Sequence, residues 1–248
     1  MNLTNKNIRE KKFHNELQTK KKGRFENIFY KAIYNANEDF LKYLESNSYN
    51  SLILDYGCGN GSSIKEVLKL NPKKIIGIDI SEVSIQKAKD RLSSTELDRV
   101  ELKVDNCEKT NFSDNKFDIV YGTGILHHLQ INECIDEILR ILKPGGKLLF
   151  IEPLGTNPII NIYRNLTPKS RSKDEHPLIK KDLDYIKKRF SKTNLKYYGL
   201  LTLVFFPFYR SPKNSSLFKL LRSFDQILFK IKFFRLFAWS ALLIAQKD

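Results

Sequence analysis

A strand that runs straight into three alternate glycines constrains this chain more than any other feature. Leu52-Ile53-Leu54-Asp55-Tyr56 reads as a short buried strand, and Gly57-Cys58-Gly59-Asn60-Gly61 as the tight turn after it. A helix follows, its start marked by Ser63 with Glu66 three residues on, a capping-box spacing. Such a turn brings backbone N–H groups up to a ligand. The dinucleotide fingerprint requires G-x-G-x-x-G. Here the third glycine comes one residue early, at Gly61, and Ser62 stands where the fingerprint needs glycine. Asp55, two residues before the first glycine, would oppose a pyrophosphate and suits a cationic ligand. On the loop alone, a turn in some other α/β protein is the competing reading.

Strands and helices alternate beyond the loop. Residues 74–79, 100–104, 117–121 and 147–151 read as strands, with helices over about 63–70, 81–92 and 131–142 between them. Ser81 is placed to N-cap the second of these helices, and Asn71-Pro72 ends the first. Lys143-Pro144-Gly145-Gly146 turns the third into the fifth strand. This rhythm predicts an α/β fold, a mostly parallel sheet with helices on both faces, with ligands at the carboxyl ends of the strands. A helix over about 27–45 precedes the first strand. A helix is expected over 182–190, then a strand over 195–206, a long helix over 216–236 and a last strand over 238–245.

Several motifs fall in register with the loop. Asp79 ends the second strand, 22 residues after Gly57, where an acid can accept both ribose hydroxyls of an adenosyl group; a helix N-terminal acid is the plainer alternative. Val104-Asp105-Asn106 follows the third strand. Phe117-Asp118-Ile119-Val120-Tyr121-Gly122-Thr123-Gly124 leads to Ile125-Leu126-His127-His128-Leu129, and Leu139-Arg140-Ile141-Leu142-Lys143-Pro144-Gly145-Gly146 follows later. Together with D-x-G-x-G-x-G at Asp55–Gly61, these resemble the class I S-adenosylmethionine (SAM)-dependent methyltransferases, in particular the ubiquinone- and menaquinone-methylating branch. The resemblance covers residues 52–152. SAM carries a sulfonium and an ammonium and no phosphate, which agrees with the acid ahead of the loop.

The resemblance implies a doubly wound seven-stranded Rossmann-like sheet with the last strand antiparallel. It implies a SAM site drawn from Asp55, Gly57, Gly59, Asn60 and Gly61 of the loop. Asp79 with Ile80, Asp105 with Asn106 near the adenine, and Gly124 complete that site. Methyl transfer by in-line displacement depends first on alignment. A base is needed only for a hydroxyl or an acidic carbon.

Candidate catalytic groups are His128, with His127 beside it, Glu152 at the end of the fifth strand, and His176. Residues 152–194 are rich in proline and charge and read as an insertion or lid after strand five. In it, Asp174 and Glu175 could orient His176 as a base, and Arg164 and Arg171 could hold an anion. Packing histidines and lid salt bridges are the alternatives. No metal site is expected: Cys58, Cys107 and Cys134 show no C-x-x-C spacing.

With 248 residues, the chain fits one methyltransferase domain over 27–248 behind a basic N-terminal arm, 1–26, that includes Lys11, Lys12 and Lys20–Lys22. The net charge of +15 favours anionic partners, or is a lysine-rich solvated surface. Aromatic and basic residues interleave over 207–236, either as a surface for an anionic membrane or an apolar acceptor, or as core with snorkelling cations. No apolar run approaches the ~20 residues of a spanning helix, and the N-terminus lacks the apolar core of a signal peptide. With three unpaired-looking cysteines, this predicts a cytoplasmic protein with peripheral membrane contact at most. The acceptor expected is a small molecule methylated on oxygen or carbon. A nucleic-acid methyltransferase is disfavoured, since strand four ends in Tyr121-Gly122-Thr123-Gly124 rather than an Asn/Asp-Pro-Pro-Tyr/Phe motif. A non-catalytic SAM-binding protein is the other alternative, and oligomeric state is open.

Overall fold

The computed structural model describes residues 3–19, 28–168 and 171–248. Seven strands form one sheet: β1 (Leu52–Tyr56), β2 (Lys74–Asp79), β3 (Val100–Val104), β4 (Phe117–Thr123), β5 (Leu142–Pro153), β6 (Lys192–Tyr198) and β7 (Ser240–Gln246). Their order is β3-β2-β1-β4-β5-β7-β6, with β1 to β5 parallel and β7 antiparallel to both β5 and β6. The expected doubly wound sheet with one reversed strand is therefore present.

Period-two alternation in the strands divides the core into two layers. In β1, Leu54 and Tyr56 face one layer with Val120, Leu148 and Phe150, while Ile53 faces the other with Ile75, Ile119 and Leu149. The first layer is covered by α6 (Ile131–Ile141) and α8 (Lys180–Arg189), whose Ile138 and Ile186 are fully buried. The second is covered by α2 (Tyr34–Glu45), α3 (Ile64–Leu68) and α4 (Glu82–Asp90), through Phe40, Ile64 and Ile85. Each such aliphatic side chain contributes roughly 1.5–3 kcal/mol on burial. The parallel strands are apolar on both faces for this reason, and the ligand edge is left to loops.

Several expectations are corrected. The predicted arm contains a helix, α1 (Asn5–Thr19), that lies against α4. It buries little apolar surface, and polar pairs hold it. Asn7 donates to Glu108 at 2.7 Å, Lys11 meets Glu82 at 3.0 Å and Arg9 meets Asp174 at 2.7 Å. The Lys20–Lys22 cluster lies outside the described residues; of the helix expected over about 27–45, Ile28–Ile33 is a 3-10 turn and the α-helix begins at Tyr34. The expected strand over 195–206 stops at Tyr198, because Gly199 takes a left-handed φ of 80°. A short helix, α9 (Leu201–Val204), follows, its N-terminus capped by the Asp225 carboxylate, which accepts from Leu201 N at 2.7 Å and the Thr202 hydroxyl at 2.8 Å. The long helix expected over 216–236 is α10 (Ser216–Leu228), followed by a 3-10 turn over Lys232–Phe237. The stretch 152–194 is not one insertion. It holds the end of β5, the crossover helix α8 and the start of β6. Between them come α7 (Pro158–Leu166) and a bridge pairing Leu154 with Leu178. The remaining labels are α5 (Ser94–Leu97) and two short 3-10 turns, Leu126–His128 and Phe206–Phe208.

Candidate active site

The turn after β1 is held by the strand beside it. Cys58 N–H donates to Ile78 O of β2 at 2.8 Å, and Gly59 N–H donates to Asp79 Oδ2 at 2.9 Å. Gly57 and Gly59 both have positive φ, 73° and 52°. They differ in what a side chain would meet. A Cβ on Gly57 would stand 2.5 Å from Ile125 Cγ1, whereas one on Gly59 would find no atom within 4 Å. Gly57 is small for packing, and Gly59 keeps an open space where the backbone can approach a ligand. Asn60 and Ile80, which follow Gly59 and Asp79 in the chain, are half-buried.

Asp79 accepts Ser81 N–H on Oδ1 at 2.8 Å as well as Gly59 on Oδ2. Burial pushes its carboxyl above the ordinary range, against the pull of these backbone donors. Each oxygen retains a lone pair for a further donor. Ser81 caps α4 as expected, accepting Ser84 N–H at 3.0 Å. Asp105 is buried after β3 and accepts Asn106 N–H at 2.9 Å. Asn106 in turn accepts Glu108 N–H at 2.9 Å and donates to Asn7 of α1 at 3.4 Å.

Asp55 sits opposite Tyr121 in the β1–β4 register. Its Oδ2 accepts the Tyr121 hydroxyl at 2.8 Å and the Ser63 hydroxyl at 3.1 Å. Ser63 therefore does not form the expected capping box: it precedes α3, but its hydroxyl is turned to Asp55 and makes no capping hydrogen bond. Burial raises the Asp55 carboxyl to about 7, outweighing the two hydroxyl donors.

The second cluster is built on Glu152, which is 1% exposed at the end of β5. Its Oε1 accepts the backbone N–H groups of Ile125 and Leu126 at 2.9 and 2.8 Å, and its Oε2 lies 2.8 Å from His127 Nδ1. One carboxylate thus fixes the loop after β4 and orients an imidazole in it. Gly124, with φ 64°, opens that loop, and its N–H donates to Ile151 O at 2.8 Å.

His128 has a different partner. Its Nδ1 lies 3.1 Å from Oε2 of Glu10, on α1, and its ring packs edge-on against His14. Burial and the neighbouring His127 push the His128 imidazole below its ordinary value. Glu10, His14 and His128 bring a carboxylate and two imidazoles within 4.8 Å, and His127, His128 and Glu175 do the same. Such a donor set can hold a divalent ion. His128 belongs to both groups.

The expected base in the 174–176 stretch is dispersed. Asp174 pairs with Arg9, Glu175 lies 3.5 Å from Arg171, and His176 Nε2 lies 3.2 Å from Asp182 at the start of α8. His176 is half-exposed; its backbone, not its ring, reaches the site, donating to His127 O at 2.6 Å. The two arginines are occupied by the chain: Arg164 donates to Leu154 O at 2.9 Å and Arg171 to Arg164 O at 2.9 Å. Burial lowers the Arg164 guanidinium to about 10. The cysteines are free and buried, and burial raises all three thiols well above their ordinary range.

Sequence reasoning gave too little weight to His127 as the partner of Glu152, and missed Tyr121 and the α1 residues Asn7, Glu10 and His14. Glu10 and His14 stand four residues apart, a helical pair visible in the sequence. Their contact with His128, more than 110 residues away, is not.

The loop, the switch in strand order between β1 and β4, and the acids at the ends of β2 and β3 define a nucleoside-cofactor-binding α/β protein. The Methyltransferase domain family model matches residues 47–198, and the chain belongs to that family, as a class I SAM-dependent methyltransferase. The site fits SAM: the space at Gly59 admits a backbone-bound ligand, Asp79 has free lone pairs for ribose hydroxyls, and Asp55 supplies a carboxyl behind the loop.

Among curated relatives, the chain is 34% identical over 98 residues to a 27-O-demethylrifamycin SV methyltransferase of Amycolatopsis mediterranei, covering 39% of this chain and 36% of that protein. It is 31% identical over 137 residues to a sterol 24-C-methyltransferase of Kluyveromyces lactis, covering 54% and 36%. It is 33% identical over 104 residues to a demethylmenaquinone methyltransferase of Symbiobacterium thermophilum, covering 40% and 41%. The chain thus spans about two fifths of the length of these relatives. The structure of a geranyl diphosphate C-methyltransferase from Streptomyces coelicolor A3(2), in complex with S-adenosyl-L-homocysteine, superposes with a TM-score of 0.67 at 13% identity over the full length of both chains. At that identity, the likeness is one of fold.

Proposed function

We propose that this protein is a cytoplasmic methyltransferase that moves the methyl group of SAM to an oxygen or carbon of a small, apolar, lipid-like acceptor, working in peripheral contact with an anionic membrane. The observation that carries the reading is the Glu152–His127 pair, buried at the ligand edge of the sheet beside the loop that Gly124 opens. Asp79 takes the ribose hydroxyls, Asp105 and Asn106 the adenine, and the loop backbone from Gly57 to Gly61 the methionine portion. SAM supplies an electrophilic methyl group on a sulfonium. The chain aligns the acceptor and excludes water. For a hydroxyl or an acidic carbon, His127, held by Glu152, takes the proton, with the His128 ring packed beside it.

Relatives named for methylating rifamycin oxygen, sterol carbon and demethylmenaquinone support an apolar small-molecule acceptor. Buried free thiols fit a reducing compartment, and among the described residues no helix is long and apolar enough to cross a membrane. The test is transfer of an isotopically labelled methyl group from SAM into a lipid extract, read by mass shift. Labelled apolar products that disappear in the Asp79→Ala protein are expected. Label only in nucleic acid, or in nothing, overturns the reading.

A further inference from the structure

Three elements, α7, α10 and the turn after α10, carry large exposed apolar side chains. α10 is apolar on two sides. Phe218, Leu221 and Phe229 face inward and are buried. Leu217, Leu220, Phe224 and Ile227 recur at alternating three- and four-residue spacing, with Ile231 just past the helix, and all five face solvent. α7 adds Ile159, Ile162 and Leu166, exposed by 56%, 62% and 76%. The turn after α10 adds Phe233 and Leu236. α7 meets the turn after α10: Asn157, which caps α7, donates its side-chain amide to Phe237 O at 2.5 Å. A monomeric soluble protein seldom exposes so many large apolar side chains together.

Charge decides what covers this face. Residues 205–237 contain seven lysines and arginines and one acid, Asp225, which is buried and used in capping α9. Arg210, Lys213, Lys219, Lys230 and Lys232 are exposed, and none forms an ion pair among the described residues. A cationic apolar surface without exposed acids matches an anionic lipid interface, where apolar groups enter the acyl boundary and lysines reach headgroup phosphates. A second copy of this chain would set lysine against lysine.

We propose that α10, the turn after it and α7 form a docking face for an anionic membrane. α7 leaves the end of β5, where Glu152 sits, so docking puts the active-site edge of the sheet beside the bilayer. This extends the proposed lipid-like acceptor, which would then pass from the bilayer to the site without crossing water.

The test is co-sedimentation of the full chain with phosphatidylcholine vesicles, with and without phosphatidylglycerol. Binding is expected with the anionic vesicles only, and it weakens as salt rises. The Lys230→Gln/Lys232→Gln double variant should bind about 30-fold more weakly, the factor two basic side chains contribute near such a surface. Phe224→Asp/Ile227→Asp should abolish binding. SAM affinity, measured by calorimetry, should be unchanged in both variants, which also reports their folding. No vesicle binding by a chain that binds SAM overturns the docking face and leaves the methyltransferase reading intact. A dimer in light scattering that Phe224→Asp/Ile227→Asp dissolves, without vesicle binding, overturns it in favour of self-association. Vesicle binding with no labelled lipid product leaves the docking face standing and removes the acceptor reading.

Discussion

Glu152 and His127 face each other across the β5 end and the loop after β4, with Oε2 2.8 Å from Nδ1, while the other carboxylate oxygen takes two backbone N–H groups of that same loop. The carboxylate cannot move without the loop. The carboxylate therefore holds the ring in one orientation. Glu152→Gln keeps an acceptor for the backbone and loses the charge. Turnover is expected to fall by about 10²-fold or more, with SAM affinity nearly unchanged. Equal turnover in labelled-methyl transfer would remove the pair from the mechanism.

Asp79 pins Gly59, and on the proposed reading it also holds the ribose. Asp79→Ala removes both, and hydrogen bonds to a charged group contribute about 1.5–3 kcal/mol each. Calorimetry should show SAM affinity reduced by at least about 10²-fold. Asp79→Asn keeps an acceptor oxygen and should lose less.

Asp55 makes stability depend on pH. The ordinary carboxyl value is 3.8 and the folded value about 7. Below about pH 4, the group is protonated in folded and unfolded chains alike. Between about 4 and 7, the unfolded chain ionises first, so this group's contribution to stability falls as pH rises; above 7 the loss is complete. Asp55→Asn retains an acceptor for Tyr121 and Ser63 without the charge. Thermal melts from pH 5 to 8 should show a flatter decline in the variant than in the parent. A parallel decline would show that Asp55 titrates normally.

His176 offers the sharpest contrast among the groups marked in the sequence. Its ring meets Asp182 near the surface, a pair whose loss costs about 0–1 kcal/mol. His176→Ala is expected to leave SAM affinity intact and to cost far less turnover than Glu152→Gln. A loss matching that of Glu152→Gln would bring the ring into the reaction.

Glu10 holds α1 to the site through His128, His14 and Ser172, whose hydroxyl donates at 2.5 Å. These partners overcome the burial that alone would raise its carboxyl, and hold it well below the ordinary range. Glu10→Ala leaves two histidines without it. Hydrogen exchange should accelerate across Asn5–Thr19 and stay slow in β1, β4 and β5. Uniform acceleration would mean the residue supports the whole fold.

Local order was legible in the residues. Alternating apolar strands, the glycine spacing and the cap at Ser81 are governed by neighbours in the chain, so the alternation and the sheet follow from them; the turn expected over Lys143–Gly146 is instead the irregular start of β5. Asp79 and Asp105 stand together at one edge because strand ends converge there in any doubly wound sheet. The expectations that failed depended on distant partners. Ser63 turned to Asp55 instead of its own helix, because a buried carboxyl needs donors more than an exposed helix end does. The strand after Leu195 stopped early because Gly199 turns the chain and Asp225, on α10, caps α9.

By itself, the sequence determined the class of fold, the glycine loop after β1 and the placing of acids at the ends of β2 and β3, since these rest on periodicity and short spacing. Only the tertiary structure decided that Glu152 takes His127, that His128 belongs with α1 and that His176 faces Asp182. It alone separated the exposed apolar stripe of α10 from the buried one. Burial and pairing are set by which elements meet, and a chain of residues read in order does not contain that.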